Sequence, residues 1–144
     1  MNVESLRAFL LSLPHVTETM QWGDNLVFWV GDKAIGGKMF ALANLSGSGH
    51  GVLSFAAGPV RYAELLEVDG AFPAPYMARI YWVAIERYDV FSSNELKEHL
   101  QYAHSMVYDK LPKRTKDVLA LPSAERKKLI AARKKVLASR ETQR

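Results

Sequence analysis

The sequence predicts an α+β domain: a four-stranded, antiparallel-rich sheet with helices packed on one face, followed by a basic C-terminal helix. Three observations carry that expectation. Apolar residues recur at helical spacing near both ends of the chain. Between them lie short β-branched and aromatic runs punctuated by glycine. Beyond residue 110 the chain turns strongly basic.

The first segment, NVESLRAFLLSLP, places Val3, Leu6, Phe9, Leu10 and Leu13 on one stripe, which reads as a helix over 3–13. Asn2 caps its start and Pro14 stops it. Leu26, Phe28 and Val30 alternate with Val27 and Trp29, a strand apolar on both faces. Gly31-Asp32-Lys33 is a turn signal, Lys38 to Leu45 a second strand, and Val52 to Ala56 a third. The glycine-rich stretch Ser46–Gly51 joins the last two as a flexible loop, and short connections imply an antiparallel meander. Gly58-Pro59 opens a short helix, since proline suits a first helical position, and Tyr62, Leu65 and Leu66 face the core. Asp69 to Pro75 is too rich in proline for regular structure, and Ala78 to Glu86 reads as a fourth strand. Ser92 and Glu95 form a capping box for a helix with Leu96, Leu100, Ala103, Val107 and Leu111 in one row, ended by Pro112. A last helix starts near Ser123, where RKKLIAA and RKKVLAS repeat after seven residues and stack Arg126, Arg133 and Arg140. The expected division is a domain over 1–114 and a basic helical extension over 115–144, with residues 112–144 peripheral to the sheet and its helices.

Charge is unevenly spread. Residues 110–144 carry 12 Lys/Arg against 3 Asp/Glu, a balance of +9, while residues 1–109 carry 7 against 12, a balance of −5. Such asymmetry points to an anionic partner for the basic segment, DNA or another polyanion. The chain has no cysteine, which excludes disulfides, thiolate metal sites and cysteine nucleophiles. No signal peptide or membrane-length apolar run is read, so a cytoplasmic protein without membrane contact is expected.

The order of several short features resembles the MmcQ/YjbR family. They are LSLP, Trp22-Gly23, the F-W-V strand, GGKMFAL at 36–42, GVLSF at 51–55, PAPY at 73–76, YWVAIE at 81–86 and HSMVYDKLPKR at 104–114. The resemblance spans about residues 1–114. It implies a fold similar to the bacterial frataxin CyaY and DNA binding through a two-winged sheet surface, with no catalytic residues to carry over. Many members have a lysine near the end of the third strand, where this chain has Phe55-Ala56-Ala57.

Candidate chemistry is sparse. His15, His50, His99 and His104 show no metal-ligand spacing, and pairs such as His104 with Tyr108 or Glu95 with His99 read as surface neighbours on a helix. Glu64, Glu67 and Asp69 read as a solvated helix end rather than an iron site. The Gly47–Gly51 loop lacks the lysine and following helix of a phosphate loop. No metal, cofactor or catalytic set is therefore assigned. The candidate contacts for nucleic acid or ligand are Lys33, Lys38, Tyr76, Arg79 and Trp82, aromatics beside cations being suited to stacking. The basic tail adds Arg126, Lys127, Lys128, Arg133, Lys134, Lys135 and Arg140. The expected function is a non-catalytic binding module, DNA-binding through the sheet surface and the tail. Two alternatives are a small-molecule binder or enzyme using the cleft near PAPY, and a protein-interaction adaptor.

Overall fold

A computed structural model of the chain describes residues 1–46 and 50–142. The middle of the expected glycine-rich loop, Gly47 to Gly49, and the last two residues lie outside them. The sheet has six strands where four were expected. They are β1 (Val16–Gln21), β2 (Asn25–Val30), β3 (Lys38–Asn44), β4 (Leu53–Ala56), β5 (Ala71–Pro73) and β6 (Trp82–Ile85), in the order β1-β2-β3-β4-β6-β5, all pairs antiparallel. The two strands not foreseen are the edges. β1 carries Thr-Glu-Thr between apolar residues and is half-buried along most of its length, so no clean alternation marks it. β5 is three residues inside the proline-rich loop. The expected strand 78–86 is shorter than its apolar content suggested. Ala78–Ile80 forms a 3-10 turn closed by Tyr81 at φ 62°, and pairing begins only at Trp82.

Among the described residues there are five helices: α1 (Val3–Ser12), α2 (Gly58–Leu65), α3 (Ser93–Asp109), α4 (Lys113–Leu119) and α5 (Ser123–Thr142). Both expected N-caps form as reciprocal capping boxes, Asn2 with Ser5 and Ser92 with Glu95, each satisfying two orphan backbone donors. The register shows that α1 and α3 share one face of the sheet. Glu18, Phe28, Ala41, Phe55 and Val83 lie side by side across five strands. Arg7 of α1 donates to Glu18 at 2.8 Å, and His99 of α3 stacks on Phe55 with centroids 6.2 Å apart. Leu6 and Leu10 of α1 and Leu96, Leu100 and Ala103 of α3 are fully buried in the resulting core.

One irregularity sorts the two faces. Phe28 pairs with Ala41 but Trp29 pairs with Met39, so Phe40 is an extra residue, a β-bulge. Phe40 turns into the helix side and meets the ring of His104 edge-on at 5.4 Å. Met39 is thereby placed opposite Trp29, on the same face as Leu42, which pairs with Val27. Simple alternation would have put Met39 and Leu42 on opposite faces.

The region after residue 112 is not peripheral throughout. Pro112 ends one helix and begins another: α4 was not foreseen, because only Thr115 and Leu119 in KRTKDVL face inward. Thr115 is fully buried and donates its hydroxyl to the Ile35 carbonyl at 2.8 Å. Gly36, at φ 90°, lets this approach happen; a Cβ there would stand 2.7 Å from the Thr115 hydroxyl. Leu119 is 4% exposed and belongs to the main core, against the Gly31 backbone. A cut after residue 114 would remove both side chains from that core.

Leu119→Ala is expected to cost about 2–4 kcal/mol of stability, the range for emptying a buried leucine site. Lys128→Ala, on the exposed face of α5, should stay within about 0.5 kcal/mol of the parent. Urea denaturation of the full chain checks both; a near-zero change for Leu119→Ala would show α4 to be an undocked appendage.

Candidate functional site

Two features rise above the background of the fold: a cavity on the face opposite the helices, and a cationic ledge at the β2–β3 end of the sheet. The cavity has a volume of about 550 Å³. Its floor is the open sheet face, where Met39, Leu42 and Ser54 lie next to Asn25 and Asn44. One wall is the β1–β2 turn with Trp22 and Asp24. The opposite wall is the loop Pro75-Tyr76-Met77, and Ser46 and His50 close one end. Asn44 Oδ1 accepts from the Ser46 backbone N–H at 3.0 Å, which fixes the start of that end.

The two aromatic walls are unusual in their backbone. Trp22 sits at φ 50° and Tyr76 at φ 65°, a left-handed conformation that bulky residues seldom adopt. Both side chains are largely exposed, 65% for Trp22 and 97% for Tyr76. Among the described residues no lysine or arginine lines the cavity, while Asp24 does.

The ledge is built by the C-terminal segment folding back. The loop between β2 and β3 makes a 3-10 turn at Lys33–Ile35, capped by the Asp32 carboxylate, which accepts from Ala34 N–H at 2.8 Å. The other Asp32 oxygen pairs with Lys134 of α5 at 3.0 Å, with Asp32 only 17% exposed. Lys134 thereby ties a helix that carries seven Lys/Arg to the body of the protein. Ile130 and Leu137 face inward on the same side, and Lys127, Lys128, Arg133, Lys135 and Arg140 are exposed.

The expected contacts separate accordingly. Lys33, its Nζ 5.6 Å above the Trp29 ring, lies in the turn that α5 docks on, and Lys38 is exposed at the start of β3. Arg79 is exposed at the same end of the sheet, since the start of β6 pairs with the end of β4, which runs beside the start of β3. Tyr76 belongs to the cavity instead. Trp82 belongs to neither: it is 4% exposed and offers no stacking surface, because it opens a central strand and fills the core. Trp22, Asp24, Met39 and Leu42 were not foreseen as site residues. Trp22-Gly23 was visible as a motif, but the bulge that gathers Met39 and Leu42 is silent in a period-two pattern.

The histidines on α3 are not surface neighbours. His104 is 7% exposed, and its Nε2 donates to the Pro14 carbonyl at 2.7 Å, joining α3 to the end of α1. His99 is wedged between Phe55 and Phe91, with its Nδ1 3.3 Å from an Arg61 guanidinium nitrogen. Nδ1 thus accepts, and the ring is held neutral. Burial, and then the Arg61 charge, push the His99 pKa below its ordinary value. His15 is pushed the same way, first by burial and then by Arg126 and His104. Among the described residues no three His, Asp or Glu side chains are grouped to hold a metal ion, and no helix is long and apolar enough to cross a membrane.

An α+β protein of this order, a six-stranded antiparallel sheet with α1 and α3 packed on one face, falls into a known class. A model of the YjbR family matches residues 11–106, more than half of the chain, and the chain belongs to that family. It is similar to the crystal structure of the Deinococcus radiodurans protein DR2400, which carries family-model domain DUF419. That match has 26% identity, covers 84% of this chain and 89% of that one, and has a TM-score of 0.70. No curated protein matches.

Because the folded state depresses the pKa of His99, the unfolded chain takes up a proton first. The resulting stability is fully present above about pH 6.5 and is lost as pH falls below it. The urea midpoint should therefore drop between pH 7.5 and 5.5. His99→Gln should drop less, with His15 supplying the remainder; an equal drop in the variant would remove His99 as the cause.

Proposed function

We propose that this protein is a non-catalytic binding module for duplex DNA, with the docked α5 as its main contact. The observation that carries this reading is the ion pair between Lys134 and the Asp32 carboxylate. It converts a basic tail into a cationic ledge of fixed direction. Lys127, Lys128 and Lys135 extend from that ledge, and Lys33 lies at its base. A charge row held on a frame can neutralise successive phosphates with less ordering cost than a loose tail. The family resemblance supplies the other support, a CyaY-like two-winged sheet surface. Lys33 and Lys38 on one side of β4 and Arg79 on the other are the cations available to such wings. The charge balance of −5 over residues 1–109 makes α5, rather than the sheet, the source of most attraction.

Binding of the full chain to a 20-base-pair duplex should weaken steeply with salt. The combined variant Lys127→Gln, Lys128→Gln, Lys135→Gln spares the Asp32 pair. It should flatten the log–log salt slope by about 0.9 for each phosphate left unneutralised, up to about 2.7. An unchanged slope, or no binding at low salt by the parent chain, would refute the proposal. Equal affinity of the parent for heparin would mark a general polyanion binder instead.

A further inference from the structure

We propose that the cavity on the open sheet face binds a small planar aromatic molecule that carries no negative charge, clamped between Trp22 and Tyr76. This goes beyond the polyanion reading and does not depend on it. The volume of about 550 Å³ lies within the range of small-molecule sites.

The two walls are the strongest indication. At positions with φ of 50° and 65°, glycine or asparagine would fold without strain. A tryptophan and a tyrosine stand there instead, and neither offsets the strain by burial, being 65% and 97% exposed. At neither position does the aromatic ring add to the core. Strained backbone and exposed apolar surface in one place are features of ligand clamps.

The floor fits a flat apolar occupant. The bulge at Phe40 brings Met39 onto the same face as Leu42, and Met77 approaches from the loop. Two thioethers give a surface that adapts to an aromatic ring and contacts it favourably through sulfur. Polar groups surround this apolar centre: the carboxylate of Asp24 beside Trp22, the amides of Asn25 and Asn44 with Ser54 along the floor, and Ser46 and His50 at one end. A carboxylate with no lining lysine or arginine among the described residues accepts from ring or amino N–H groups and repels phosphate or carboxylate. A neutral or cationic heteroaromatic ring is the chemistry that satisfies aromatic walls, thioether floor and acidic corner together, and a cation would gain further from the ring faces.

The test uses two matched pairs of probes on the full chain, measured by calorimetry. Tryptamine is set against indole-3-acetate, and adenosine against adenosine monophosphate. Tryptamine or adenosine should bind at one site with Kd below about 1 mM, and the anionic member of that pair should bind at least about tenfold more weakly. Trp22→Gly and Tyr76→Gly should each weaken binding at least about tenfold. Their melting temperatures should stay within about 3 °C of the parent, because glycine accepts the positive φ that the aromatics strain to reach. Tyr76→Phe should retain binding. The proposal is overturned if neither tryptamine nor adenosine binds, if the anions bind equally well, or if the glycine variants bind like the parent. A fall in melting temperature well beyond that range in both glycine variants would also overturn it, by showing that the aromatics serve folding.

Discussion

Phe40 is the residue that does not fit the ladder, and the layout of both faces follows from it. With one residue too many between Phe28 and Trp29, β3 keeps Ala41 and Ala43 on the helix side and adds Phe40 to them. The added ring fills the space under α3 beside His104, whose own bond to the Pro14 carbonyl positions the end of α1. A side-chain period of two means that a one-residue slip inverts every later position, so the bulge is a sorting device. It completes the core on one side and moves Met39 to the other. Core packing and cavity floor are two consequences of the same extra residue.

The parts of the fold legible in the sequence are those where a local rule and the tertiary structure agree. Asn2 and Ser92 announce their helices because a cap bonds within one turn, and the stripes of α1 and α3 persist over enough residues to be periodic. β2 is legible because both of its faces are apolar. The missed elements are those whose identity depends on distant partners. β1 is an edge strand recruited by β2, with Thr17 and Thr19 facing the open side. There Thr19 Oγ1 accepts the Trp29 indole N–H at 2.8 Å. α4 is a seven-residue helix whose inward signal is one hydroxyl and one leucine among four charges. Its reason for docking, the Thr115 bond to Ile35, spans eighty residues of sequence.

The same distinction holds for the candidate site. The expected cleft near PAPY lies where Pro75 and Tyr76 line the cavity. Trp82 was misplaced because a tryptophan in a strand looks the same in sequence whether it faces solvent or the core. Its neighbour Tyr81 left the strand for a left-handed position and packs edge-on against Tyr62, 5.6 Å away. Asp32, which looked like an ordinary turn residue, is the acid on which the basic helix hinges. Exposed ion pairs contribute little on their own. Asp32 is only 17% exposed and its carboxylate already serves the 3-10 turn, so Lys134 meets an acceptor ordered in advance.

The two surfaces differ in the charges that line them. Cations gather where β2 ends and β3 begins, around Asp32 and along α5. The cavity runs along the open face toward the opposite end of β3, where Asp24 stands and, among the described residues, no lysine or arginine lines the wall. The two surfaces meet in sequence at the start of β3. Lys38 opens β3 on the ledge side, and Met39, the next residue, is turned by the bulge into the cavity floor.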